Sequence, residues 1–95
     1  MKNVPTISYG VMAEVVRIIE HLKSFNFTDL SEIREKVAVY DLGEDYCDFT
    51  FSFADSEIIV EGSYYIGDHD EVALSDCFSV FNTNGDRLLE IDWGS

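Results

Sequence analysis

Carboxylates are the one chemistry-bearing group this chain has in quantity: 19 of its 95 residues are Asp or Glu, against six Lys or Arg. Grouped carboxylates can hold a hard divalent cation, run acid–base chemistry as a pair in a cleft, or present a negative surface to a basic partner. Their distribution is uneven. Between Val37 and Asp86 there are twelve Asp and Glu and no Lys or Arg at all.

The first two chemistries find no support in the spacing. A calcium loop of the EF-hand type needs oxygen ligands at fixed offsets around a glycine. Around Gly85 those offsets fall on Val80, Asn82, Asn84 and Ile91, and Val80 and Ile91 cannot ligate. Asp68-His69-Asp70-Glu71 reads as a solvated turn rather than a metal site. Paired carboxylates for hydrolysis need a cleft between them, which one small sheet does not offer. The two histidines, His21 and His69, fall on a helix's polar side and in a turn, so they do not share a site. No Ser-His-Asp or Cys-His arrangement and no glycine-rich phosphate loop occurs. The expectation is a chain with no enzymatic activity, no cofactor and no metal. Cys47 and Cys77 lie in strand-like runs, where a cysteine is usually a small buried hydrophobe. They are too few and too far apart for a zinc knuckle. A disulfide needs neighbouring strands and an oxidising compartment.

The elements that must position the carboxylates follow from apolar periodicity. Residues 1–6 read as an extended N-terminal arm, with Pro5 disfavouring helix at Val4. Val11, Val15, Ile18, Leu22 and Phe25 then recur at helical spacing, so a helix is predicted from about Ser8 to Ser24. Met12 and Ile19 widen its apolar stripe. Glu14, Arg17, Glu20, His21 and Lys23 take the other side. Asp29 with Glu32 has capping-box spacing and opens a short second helix whose apolar face is Leu30, Ile33 and Val37. Beyond it the period changes from 3.6 to 2. Cys47, Phe49, Phe51 and Phe53 point one way, and Ile58, Val60, Gly62, Tyr64 and Ile66 repeat the pattern. In the run Val72–Asn82, Asp76 falls on the apolar face and predicts a bulge or break at Ser75–Cys77. Asn84-Gly85 is the strongest hairpin signal. Leu89, Ile91 and Trp93 share one face of a last strand, with Leu88, Glu90 and Asp92 on the other.

No link between strands is long enough for a parallel crossover. The predicted fold is therefore α+β: one domain over residues 1–95, in which an N-terminal helix and a short second helix pack on one face of a roughly five-stranded antiparallel meander. A meander brings alternate turns to the same end. One end then collects Asp41, Glu44, Asp45, Asp48, Asp68, Asp70 and Glu71 as a negative pole, while Asp55, Glu57 and Asp86 lie at the other end beside Arg87. The second face of the sheet reads as mixed, with Ile59, Tyr65, Phe81 and Leu88 among Thr50, Ser52, Ser63 and Ser79, a composition that suits a partner surface.

The formal net charge is −13, and the aromatic content of 14% favours a folded acidic domain over a disordered acidic tail. A negative surface repels nucleic acid and anionic membranes and attracts basic proteins. No leader and no membrane span is read, so the expected location is cytoplasmic. In size and charge the chain is similar to small acidic inhibitors of phages and mobile elements, and to immunity proteins that pair with basic toxins. That likeness implies an interaction protein that engages a basic partner, in its sharpest form as a nucleic-acid mimic. The alternative is a structural or regulatory homo-oligomer, a homodimer for example, built through the mixed face. A small-molecule or weak divalent-metal binding module ranks third.

Overall fold

The computed structural model describes residues 9–69 and 71–93. The expected N-terminal arm and Asp70 lie outside them. Helix α1 runs Tyr9–Lys23 and helix α2 Leu30–Lys36, followed by six strands: β1 Ala38–Leu42, β2 Tyr46–Phe51, β3 Ile58–Ile66, β4 Val72–Leu74, β5 Cys77–Asn82 and β6 Arg87–Asp92. The apolar stripe of α1 does what its spacing requires, burying Val15, Ile18, Ile19 and Leu22. The helix closes with the Ser24 N–H shared between the Glu20 and His21 carbonyls at 3.1 Å each. In α2, the Asp29 carboxylate accepts the Glu32 N–H at 3.0 Å, and the Glu32 carboxylate accepts the Thr28 N–H at 3.0 Å and the Thr28 hydroxyl. Donors at the helix entry are thus satisfied from both directions. Seven residues are too few to hold a helix by propensity; burial of Ile33 against the core fixes it.

The strands form one antiparallel sheet in the order β1-β2-β3-β5-β6, with β4 also paired to β3. The nine-residue β3 organises it. One side of β3 pairs with β2; the other pairs with β5 at Ile58–Glu61 and with β4 at Tyr64–Ile66. β4 and β5 are thus two halves of one strand length, separated at Ser75–Asp76. The Ser75 N–H still donates to the Ser63 carbonyl at 2.9 Å, so the interruption stays hydrogen-bonded to the sheet. Asp76 turns out of the core to meet Lys23 of α1 at 3.2 Å. This break, foreseen at Ser75–Cys77, is what makes six strands where about five were expected. The β5–β6 hairpin forms at Asn84-Gly85, with Gly85 at φ 90 and the Asn82 side chain accepting the N–H groups of Asn84 and Asp86 at 3.0 and 2.9 Å.

One face of the sheet is covered by the helices. Cys47, Phe49, Ile58, Val60, Tyr64, Phe78 and Val80 meet the α1 stripe, Ile33 and Val37 there, all buried. Phe49 stacks on Tyr64 with centroids 4.9 Å apart. Gly62 lies beneath these rings. A Cβ there would sit 3.0 Å from Phe49 Cζ and 3.1 Å from Phe78 Cδ1, so glycine lets the two phenylalanines approach over β3.

Three placements correct the sequence reading. His21 is not on a free polar face: it is half-buried against the rings of Phe25, Phe51 and Phe53, at centroid distances of 4.9, 5.4 and 5.0 Å. Leu88 packs against the core rather than joining the second face, because a register shift at Val80/Phe81 puts Leu88 and Leu89 both within its reach. Cys77 is exposed while Cys47 is buried. They face opposite sides of the sheet, so no disulfide can join them.

Candidate partner-binding face

Among the described residues no layer covers the face of the sheet opposite the helices. Its composition follows from strand phase and register together. Across the strands, Thr50 pairs with Glu61, Glu61 with Ser79 and Ser79 with Glu90. One row along, Asp41 pairs with Asp48, Asp48 with Ser63, and Cys77 with Asp92. The outward face therefore carries Asp41, Asp48, Glu61, Glu90 and Asp92 in a band that alternates with hydroxyls. A register shift in β1 between Val39 and Asp41 adds Tyr40, 56% exposed, to the same face. A shallow depression of about 450 Å³ lies in this band, with Tyr40, Asp48, Glu61, Ser63, Ser79 and Glu90 among its lining residues.

The one cation among the described residues of this face is Arg87, paired to Glu90 at 2.8 Å and lying 5.9 Å from the centre of the Phe81 ring. Asp41, Asp48, Glu61 and Asp92 form no ion pair among the described residues. Asp48 instead accepts the Ser63 hydroxyl, and Asp41 accepts the Tyr46 hydroxyl at 3.4 Å. The field of the band registers on its phenols. Partial desolvation, then the Glu61 carboxylate, with Asp48 and Asp41 behind it, pushes Tyr40 up to about 12. The Asp41 carboxylate, with smaller contributions from desolvation and Asp48, raises Tyr46. Each ionised tyrosine would add a negative charge beside carboxylates already there.

The helical part of the chain is balanced in charge. The chain up to Lys36 contains five carboxylates and five of the six Lys and Arg, whereas the rest contains fourteen carboxylates and Arg87 alone. The whole net charge of −13 thus resides in the part of the chain that builds the sheet and its turns. On α1, Arg17 holds Glu14 at 2.6 Å and Asp55 at 3.3 Å and lies 4.1 Å over the Phe53 ring.

The residues picked out from sequence divide three ways. The turns around Gly43–Asp45 and Gly67–His69 do adjoin: the Ile66 N–H donates to the Asp45 carbonyl at 2.9 Å. Glu44, Asp45 and Asp68 are exposed at that end, while Glu71 folds back to accept the His69 N–H at 3.1 Å. Asp41 and Asp48 belong to the open face rather than to the end, and Asp70 is outside the described residues. Ile59 and Phe81 pair directly, half-buried, at one extreme of the open face; Tyr65, 56% exposed, stands at the other, paired with Tyr46. About 20 Å of strand separates Ile59 from Tyr65, and the acidic band fills the space between. Glu61, Glu90, Asp92 and Tyr40 were not selected from sequence. Their outward phase was readable, but their meeting in one band depends on register.

Among the described residues no group of three or more His, Cys, Asp or Glu is arranged to hold a metal ion, and no helix is long and apolar enough to cross a membrane. Comparison with known proteins gives no match to a family model, to a curated protein or to a solved structure. The chemistry of the face itself is therefore the guide. Ranked carboxylates with interleaved hydroxyls and flanking aromatic rings accept hydrogen bonds from cations, and guanidinium groups above all.

Proposed function

We propose that this chain is a non-enzymatic, cytoplasmic interaction protein that engages a basic surface on another protein. The observation that carries the reading is the sidedness of its charge. Five carboxylates face outward from a sheet surface with a single arginine, and no described helix lies over that surface. A protein needing acid only for solubility has no reason to segregate it from its cations. The sharp form of the reading is a mimic of nucleic acid, in which carboxylates stand where phosphates would, occupying the phosphate-binding surface of a basic protein. Such an association releases counterions and steepens with falling salt. Its test is binding to a panel of basic nucleic-acid-binding proteins across a salt series. Tight binding at low salt that weakens steeply by physiological salt and beyond is expected; a flat salt response, or no binder in the panel, would sink the reading.

The alternative of a homo-oligomer through the same face would press two acidic bands together, with Ile59 and Phe81 at one extreme and Tyr65 at the other. Like charges in that geometry oppose association. Light scattering at high protein concentration separates the two: the interaction reading expects a monomer, and a dimer that persists at low salt would favour the alternative.

A further inference from the structure

We propose that the docking surface is the acidic band across β2, β3, β5 and β6, not the negatively charged turn end, and that its occupant is an arginine-bearing segment of a basic protein. This deepens the reading given above and rests on it. Charge complementarity sets the class of partner and its approach. Among the described residues the open face has one cation, whereas the two helices carry Arg17, Lys23, Arg34 and Lys36 beside Glu14, Glu20, Glu32 and Glu35. A basic partner is drawn to the acidic side, while the helical part, with five carboxylates and five Lys or Arg, is balanced and exerts no net pull, so the field favours approach to the open face. Shape sets the mode. Glu61, Ser79 and Glu90 stand in register on successive strands. Neighbouring strands lie about 4.8 Å apart, so the two glutamates are roughly 10 Å apart at the backbone. The Ser79 hydroxyl lies between them, and since Glu90 already holds Arg87, the carboxylates of the depression without a described cation are Glu61 and, one row along, Asp48.

The preference for arginine over lysine has a template within the molecule. Arg17 forks onto Glu14 through Nε at 3.0 Å and Nη2 at 2.6 Å while lying over Phe53. Arg87 makes a looser version of the same arrangement, donating to Glu90 through Nη1 alone at 2.8 Å with the Phe81 ring centre 5.9 Å away. Each of these arginines is held by a carboxylate and an aromatic ring at once. The open face offers that combination again, unfilled by any cation among the described residues: Glu61 and Asp48 beside the exposed Tyr40 ring. A guanidinium uses both the fork and the ring; an ammonium uses the charge alone.

The test compares two triple variants of equal charge. Glu61→Gln, Glu90→Gln and Asp92→Asn neutralise the band; Glu44→Gln, Asp45→Asn and Asp68→Asn neutralise the turn end. Both take the net charge from −13 to −10. Binding of an arginine-rich and a lysine-rich peptide of the same length and charge is measured by calorimetry for the wild type and both variants, with circular dichroism confirming that each is folded. The expected result is that the wild type prefers the arginine peptide and that the band variant loses about tenfold or more of that affinity, roughly 1.4 kcal/mol. The turn-end variant should lose much less. Equal losses in the two variants would overturn the face as the docking surface while leaving a basic partner in place. Equal affinity for the two peptides would overturn the arginine assignment. No binding of either peptide to the wild type would remove the interaction reading itself.

Discussion

The two faces of one sheet obey different rules. On the covered face, β2 places Cys47 and Phe49 in the apolar core between sheet and helices, fully buried. On the open face, the intervening Asp48 and Thr50 meet Ser63, Glu61 and, one strand further, Ser79. Alternate residues of a single strand therefore answer to packing or to charge. The covered face carries the buried apolar core, and the open face carries the acidic band.

That contrast is sharpest in adjacent residues. Phe49→Ala should cost about 3–5 kcal/mol, since it empties a site roofed by α1 and stacked against Tyr64. Thr50→Ala, one residue on, should change stability by no more than about 0.5 kcal/mol. Urea melts of the pair decide it, and comparable losses would erase the distinction between the faces. The next largest effect is expected at Gly62→Ala, where a new methyl meets the Phe49 and Phe78 rings and overpacking costs about 1–3 kcal/mol.

On the open face the expected sign reverses. Glu61→Gln removes one of several like charges and should stabilise the protein by a few tenths of a kcal/mol at low salt, a gain that vanishes near 1 M salt, where the screening length falls to about 3 Å. A loss of stability at low salt would mean that Glu61 is structurally required. The smallest effect concerns alkaline pH. Tyr40 is raised from 10 to about 12 in the folded protein, so the folded state holds its proton more tightly than the unfolded chain. The resulting contribution to stability is complete below pH 10 and is lost as pH rises through about 12. Burial raises Tyr64 as well, so it acts in the same direction. Tyr40→Phe should flatten the decline in melting temperature over that window without abolishing it.

Much of the covered face was legible in the sequence because it depends on local period. The Val15–Leu22 stripe, the alternation through Phe49 and the Asn84-Gly85 hairpin each signal themselves within about ten residues, and all appear as expected. Asp76 on an apolar face correctly signalled the break between β4 and β5. The open face was legible only in part because it is a product of register. Glu61 and Glu90 become neighbours through Ser79, and no local pattern states that pairing. Turn composition instead directed attention to the end of the sheet, where Glu44, Asp45 and Asp68 do gather; the depression there, lined by Leu30, Leu42, Gly43, Glu44, Ile66 and Val72, has neither the band of interleaved hydroxyls nor the Tyr40 ring. The misplacement of Leu88 has the same origin. A register shift between β5 and β6 changes which way a residue faces, and strict alternation cannot register it. His21 illustrates a different limit: its place on the helix was right, but Phe51 at the end of β2 and Phe53 just beyond it lie against its ring.

The central claim, that the open face of the sheet is the docking surface, is tested most directly by mapping amide chemical shifts during titration with an arginine-rich peptide. Saturable shifts are expected at Tyr40, Asp48, Glu61, Ser79 and Glu90, with α1 and α2 unmoved. Shifts confined to the turns around Glu44 and Asp68, or spread evenly over both faces, would contradict it.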